Sequence, residues 1–286
     1  MGSCGMGAPG SWLAMETIGL IAGNGNYPHA IVAGARRAGV RRVVVAAFEN
    51  ETRPDLEQAV DAFRWMRVGQ LGKLISWFKS EGAAQAIMAG QIAPKNLFDL
   101  RPDLRTLMLL ARLKERNAES IFGGIAEELG KDGITLLPAT TFLEDQLPPP
   151  GHVYGPDLDK RQREDAAYAF RMAKETSRLD IGQSVVVRHG TVLAVEAFEG
   201  TNECIKRGGA MGRGQALLAK VSKPNQDFRF DVPVVGPQTV RACQEAGVRA
   251  IIVEARRTLV LEPDETAALC REHSISIAAM EESLEK

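Results

Sequence analysis

Hydrophobic and polar positions along this chain switch between two periods, and the switching predicts the fold class. Thr17–Ala22 (TIGLIA) is a short apolar run, as expected of a strand buried on both faces. A helical stretch follows from Pro28 to Ala38, with Pro28 in the first turn, where its missing N–H is tolerated, and Gly39 just past the end. Arg42–Phe48 reads as a continuous buried strand and Asp61–Val68 as another. Leu71, Leu74, Ile75 and Phe78 recur at i, i+3, i+4 and i+7, so Leu71–Glu81 is an amphipathic helix stopped by Gly82. Gln85–Ala89 is the next strand. Helices are expected near Asp103–Glu115 and Ala118–Leu129, and a strand at Ile134–Leu137. Strand and helix alternate, which argues for βαβ units and a parallel sheet.

The pattern breaks at Asp145–Pro156 (DQLPPPGHVYGP), where three consecutive prolines favour an extended polyproline path. This is the best linker in the chain. Beyond it, Leu158–Thr176 is a charged helix, and Gln183–Arg188 and Thr191–Val195 flank a hairpin signal at His189-Gly190. Alternation then resumes with the apolar Gln215–Lys220, a helix at Pro237–Ala246, a strand at Ala250–Val253, a helix at Asp264–Glu272 and a last strand at Ile275–Ala278. The expected fold is α/β in two domains. An N-terminal Rossmann-like parallel sheet with helices covers 16–147, a linker covers 148–157, and a C-terminal mixed α/β domain covers 158–286. Residues 1–15 carry neither a charged n-region nor a sustained apolar h-region and read as a leader or extension.

Composition narrows the function classes. The 286 residues are 45% hydrophobic and 25% charged, a globular mix that excludes general disorder. Lys+Arg total 35 against 36 Asp+Glu, so there is no basic surplus of the kind duplex binders show, and no nucleic-acid partner is expected. No apolar run approaches the ~20 residues that span a bilayer. The four cysteines show no CxxC spacing, which excludes a zinc ribbon and suits a reducing cytoplasm.

Five segments carry candidate chemistry. Gly23-Asn24-Gly25-Asn26 follows the first strand and opens a helix, where backbone N–H groups and the helix dipole favour a phosphate. Gly23 and Gly25 would let the backbone approach a ligand and Asn26 would cap the helix. Pro28 stands where a dinucleotide fingerprint has its third glycine, although Glu49 lies about where a ribose-binding acid belongs. Ala89–Asn96 again follows a strand and offers Gln91 and Lys95; a plain surface loop reads equally well. Phe142–Gln146 places adjacent acids before the prolines, as either a ligand site or solvated linker charge.

In Ala194–Arg207, Glu196 and Glu199 close a strand, Thr201 opens a helix, and Lys206 and Arg207 follow, a corner that suits a metal and a phosphate. Lys220–Pro237 (KVSKPNQDFRFDVPVVGP) is the densest segment. In an extended strand Asp227, Arg229 and Asp231 would share one face, with Lys223 and Gln226 upstream. Two carboxylates around Mg²⁺, basic residues on the developing charge and an oriented water make up the chemistry of phosphoanhydride hydrolysis. A salt-bridged structural loop is the alternative.

Together GLIAGNGNYP, AGQI…K, FLEDQLPPPG, AVEAFEGT and KPNQDFRFDVPVVGP resemble the LpxI-type UDP-2,3-diacylglucosamine pyrophosphatases of lipid A biosynthesis, over essentially residues 16–280. The resemblance implies Mg²⁺-dependent hydrolysis of UDP-2,3-diacylglucosamine to lipid X and UMP, with water attacking the β-phosphorus. It also implies two α/β domains with the lipid between them, and a homodimer. Asp227 and Asp231 match the family's acidic pair, with Asp227 preferred as the metal-linked acid and Glu196 as a further ligand. Gly23, Gly25, Asn26, Gln91, Lys95, Thr201, Arg207, Lys223, Gln226 and Arg229 are the expected substrate contacts. A diacylated substrate places the enzyme in the cytoplasm, in transient contact with the inner membrane, and Arg101, Arg105, Arg112, Lys114 and Arg116 offer a basic surface for it. A solvated face balanced by Asp103 and Glu115 is the plainer reading of that stretch. A nicotinamide-dependent oxidoreductase and a non-catalytic lipid or nucleotide carrier remain as alternatives.

Overall fold

The computed structural model describes residues 16–92, 102–114 and 118–282. The chain divides into two compact units. One runs to Leu143 and takes in Asp227–Phe230; the other comprises Glu144–Gln226 and the chain from Asp231 onward.

The N-terminal unit runs β1 (Thr17–Ala22), α1 (Tyr27–Arg37), β2 (Arg42–Phe48), a 3₁₀ turn, β3 (Ala62–Met66), α2 (Leu71–Ser80), β4 (Gln85–Ala89), α3 (Leu104–Arg112), α4 (Ala118–Lys131) and β5 (Thr135–Leu136). Its sheet has the order β3-β2-β1-β4-β5, parallel throughout. The order reverses between β1 and β4, so the ligand crevice of an open α/β sheet lies at the carboxyl ends of those two strands. The helical period of α2 buries Leu71, Leu74, Ile75 and Phe78 against Val44, Ala46 and Phe48 of β2. Asp103 ties α3 to α2: its Oδ1 accepts from Thr106 N at 2.9 Å as a cap, and its Oδ2 accepts from Gly72 N at 2.7 Å.

The C-terminal unit runs β6 (Gly151–Tyr154), α5 (Lys160–Arg178), β7 (Ser184–Arg188), β8 (Thr191–Val195), α6 (Thr201–Gly212), β9 (Ala216–Lys220), β10 (Val234–Val235), α7 (Pro237–Ala246), β11 (Val248–Glu254), β12 (Leu259–Val260), α8 (Pro263–Glu272) and β13 (Ser276–Met280). The main sheet has the order β6-β13-β11-β9-β7-β8. Strands β9, β11 and β13 are parallel, while β7, β8 and β6 add antiparallel neighbours, which makes the sheet mixed. The predicted hairpin forms with His189 and Gly190 both at positive φ, and buried Asp165 of α5 accepts from both of their N–H groups, at 2.8 and 2.7 Å. The proline-rich stretch carries a strand, β6. It sits at the sheet edge, where the flanking Pro148–Pro150 and Pro156 remove no ladder bond.

Candidate functional site

In the N-terminal crevice the loops leaving β1 and β4 meet backbone to backbone. Gly23 N donates to Ala89 O and Asn24 N to Gln91 O, both at 2.8 Å. A Cβ on Gly23 would stand 2.6 Å from Gln91 O, and one on Gly90 2.5 Å from Asn24 O, so these glycines are needed for the loops to touch. Gly25, at φ 82°, has open space around it and is the glycine of the turn that a ligand can approach. Asn24 Nδ2 donates to buried Glu51 Oε2 at 2.9 Å, which fixes the turn from β2. Two expectations are corrected here. Asn26 holds the N-cap position but makes no capping bond, because its side-chain oxygen accepts from Arg53 instead. Glu49 pairs with Arg67 at 3.1 Å on the surface, and Glu51 is the acid that faces the turn. Gln91 joins Asn24 through its backbone, and Lys95 lies outside the described residues.

The 227–231 segment is not an extended strand. It turns, with Phe230 N donating to Asp227 O at 3.2 Å. The alternation D-F-R-F-D imitates a strand, yet its apolar positions serve as anchors in the N-terminal unit. Phe228 O accepts from Ala139 N at 2.7 Å, and the Phe230 ring meets Phe122 at 5.5 Å between centroids. Arg229 therefore does not sit between two carboxylates. It clamps Asp227 alone: Nε lies 2.9 and 3.0 Å from the two oxygens, Nη2 lies 2.5 Å from Oδ2, and the backbone N adds a 3.0 Å bond. That guanidinium holds the Asp227 carboxyl below the usual carboxylate range.

The C-terminal unit gathers a second cluster. Chain leaving β8 buries Glu196, whose N–H bonds Ser184 O at 2.8 Å. Gly200, at φ 85°, turns the chain into α6, so that Thr201 opens the helix with no side chain capping it. Thr201 Oγ1 donates to Glu196 Oε1 at 2.8 Å and accepts from Lys220 Nζ at 3.1 Å. Glu196 is 8% exposed, and its Oε2 is buried with no partner. Burial pulls the Lys220 ammonium below its ordinary value, while Glu196 and Asp231 act in the opposite direction. Sequence reading singled out Glu196 and Thr201 but missed Lys220. Its only signal is a lysine closing an otherwise apolar strand, ALLAK.

The other expected contacts are committed elsewhere. Arg207 donates to Val195 O at 2.9 Å and pairs with Glu199, and Lys223 pairs with Asp180. Gln226 Oε1 accepts from Lys223 N at 2.6 Å, and its Nε2 is buried without a partner. Behind the cluster, buried Glu254 fixes the exit from β9. It accepts from Ser222 N and Ser222 Oγ, both at 2.7 Å, and from Lys174 Nζ at 3.0 Å. The three described cysteines are free and buried.

Among the described residues no three His, Cys, Asp or Glu side chains gather into a metal cage. Mg²⁺ does not require one, because it takes one or two carboxylates and completes its shell with water and substrate phosphate. The unfilled, buried Glu196 Oε2 and the acid at Asp231 fit that demand: both are hard oxygen donors, and a lysine stands by for the phosphate.

At the exit of β9 this α/β chain brings together a lysine, a helix N-terminus and an unpartnered carboxylate oxygen, groups of the kind that can meet a phosphate. Comparison with known proteins narrows this. The LpxI N-terminal domain matches residues 17–146 and the LpxI C-terminal domain residues 149–278, so the chain belongs to the LpxI family. It is 30% identical over 265 residues to the UDP-2,3-diacylglucosamine pyrophosphatase LpxI of Caulobacter vibrioides, covering 89% of this chain and 94% of that one.

Proposed function

We propose that this protein is a hydrolase that cleaves the phosphoanhydride of UDP-2,3-diacylglucosamine with water, giving UMP and 2,3-diacylglucosamine 1-phosphate in lipid A synthesis. Family membership across both halves supports the substrate, and the observation that carries the chemistry is the unpartnered, buried Oε2 of Glu196. Glu196 and Asp231 would hold Mg²⁺, which when bound polarises the phosphoryl group. Lys220 and the first N–H groups of α6 offset the charge that develops on the phosphoryl oxygens. Thr201 keeps Lys220 and Glu196 in register through one hydroxyl. Asp227, whose carboxyl Arg229 holds below the usual carboxylate range, is the other acid expected to serve the reaction, in which water attacks the β-phosphorus. Gly25 supplies open backbone for the nucleotide phosphate in the N-terminal crevice. No described helix is long and apolar enough to cross a membrane. The two acyl chains of the proposed substrate are what support a peripheral protein that meets it at the cytoplasmic face of the inner membrane. The resemblance alone supports a homodimer.

The test is UMP release from UDP-2,3-diacylglucosamine with Mg²⁺ or EDTA, comparing wild type with Asp227→Ala and Asp231→Ala. Mg²⁺-dependent release, lost in at least one folded Asp variant, is expected. A wild type that binds the lipid and frees no UMP is a carrier.

A further inference from the structure

Helix α3 wears part of its apolar surface outward. Leu104 is 73% exposed and Leu107 and Met108 are 49% exposed, while Thr106 and Leu109 of the same helix face inward. Singly exposed apolar residues are ordinary, but three within two turns form a patch that calls for a partner. Beside it runs a shallow depression of about 670 Å³, with Arg64, Lys73, Leu104, Met108 and Arg112 in its walls.

The charge around this patch is lopsided. Among the described residues Arg64 and Lys73 form no ion pair; the Arg64 guanidinium lies 4.3 Å from the Trp77 ring centroid. Two acids line the same depression, and both are engaged: Asp103 caps α3 and accepts from Gly72 N at 2.7 Å, while Glu128 is divided among Arg105 at 2.8 Å, Lys131 at 2.5 Å and Arg112 at 3.4 Å, and Arg105 also takes Asp132 at 2.6 Å. Lys114 adds another exposed cation just past the helix. Apolar tips rimmed by long cationic side chains match an anionic bilayer, where Leu and Met enter the acyl boundary and Arg and Lys reach the headgroup phosphates. A second copy of the chain suits the patch poorly, since a two-fold contact would set Arg64, Lys73 and Arg112 against their own kind.

We propose that α3 is a docking surface for an anionic lipid bilayer, with Leu104, Leu107 and Met108 inserting and Arg64, Lys73 and Arg112 taking the headgroups. The inference rests on the lipid substrate proposed above and adds the face that meets the membrane.

Vesicle co-sedimentation tests it, with phosphatidylcholine alone and with phosphatidylcholine and phosphatidylglycerol mixed at roughly two to one. Wild type is expected to bind the anionic vesicles and to lose that binding at high salt or without phosphatidylglycerol. Leu104→Glu combined with Leu107→Glu should weaken binding by about tenfold or more, and Lys73→Glu in the same direction. UMP release from substrate dispersed in neutral detergent should stay at the wild-type rate in all three backgrounds. Wild-type binding by the double variant overturns the proposal, as does a wild type that ignores anionic vesicles. A dimer that the double variant breaks assigns the face to a second copy and overturns it too. Absence of UMP release from wild type in detergent counts against the enzyme reading, while the vesicle measurement still decides the surface.

Discussion

Thr201 Oγ1 donates to Glu196 Oε1 at 2.8 Å and leaves the other oxygen of that buried carboxylate without a partner. A buried polar atom left unpaired costs on the order of 1–3 kcal/mol, and a water or a ligand that answers Glu196 Oε2 would recover that cost. Glu196→Gln preserves the shape and the acceptor for Thr201 while removing the charge. The variant should lose UMP release by about a hundredfold or more, yet unfold within about 1 kcal/mol of wild type. Thermal stabilisation by Mg²⁺ in the presence of UMP should vanish as well. An active Glu196→Gln enzyme would remove Glu196 from the metal set.

Lys220 is held at a cost, because burial lowers its folded-state pKa below the ordinary 10.5. The unfolded chain therefore binds this proton more tightly than the folded one. The resulting penalty is fully present below the folded pKa and fades as pH rises toward 10.5. Lys220→Met removes both the penalty and the cation. Denaturant titrations across pH should show wild type gaining on the variant as pH climbs toward 10.5, with the variant at no disadvantage at neutral pH. Activity should move the other way: kcat falls by roughly a hundredfold in Lys220→Met and partly returns in Lys220→Arg. A catalytically intact Lys220→Met would make the lysine structural.

Much of the fold is legible in the sequence because burial and period agree there. TIGLIA, RVVVAAF and QAIMA have no polar interruption and become central parallel strands, and the i, i+3, i+4, i+7 series at Leu71–Phe78 becomes α2. Legibility fails where side chains serve long-range partners. Phe228 and Phe230 alternate with charges as a strand would, but they anchor a turn in the N-terminal unit. β6 hides among prolines because an edge strand can do without part of its ladder. At the candidate site, acids at a strand-to-helix corner marked Glu196 and Thr201, whereas nothing local marks Lys220, whose meaning comes from its reach to Thr201.

The glycine turn separates two roles that look alike in GNGN. Gly23→Ala and Gly90→Ala each drive a methyl into backbone, 2.6 and 2.5 Å from a carbonyl oxygen, and neither loop can yield without breaking the Gly23–Ala89 and Asn24–Gln91 bonds. Each should destabilise the N-terminal unit by about 2–4 kcal/mol in urea unfolding. Gly25→Ala meets nothing, and only its positive φ is strained, at about 1 kcal/mol. Its effect should appear mainly as a raised KM. Equal destabilisation at all three positions would show that the turn is structural throughout.

Glu254 offers the cleanest separation of stability from positioning. Its carboxylate is 5% exposed and answers both Lys174 and the Ser222 N–H, the first backbone donor but one after Lys220. Glu254→Ala strands the Lys174 ammonium in a dry site and should cost about 3–5 kcal/mol. Lys174→Met combined with Glu254→Leu removes the buried pair and leaves only the half-exposed Arg257, which keeps Ser222 Oγ at 2.7 Å; because a buried ion pair is worth little against apolar packing, stability should return to within about 1–2 kcal/mol of wild type. Ser222 N–H and Oγ lose their carboxylate partner in that double variant, so the chain that runs on from β9 to Asp231 loses its first anchor beyond the sheet. The double variant should therefore refold well and still release UMP at least about tenfold more slowly, with the loss in kcat. Recovery of activity together with stability would reduce Glu254 to a structural ion pair and detach it from the site.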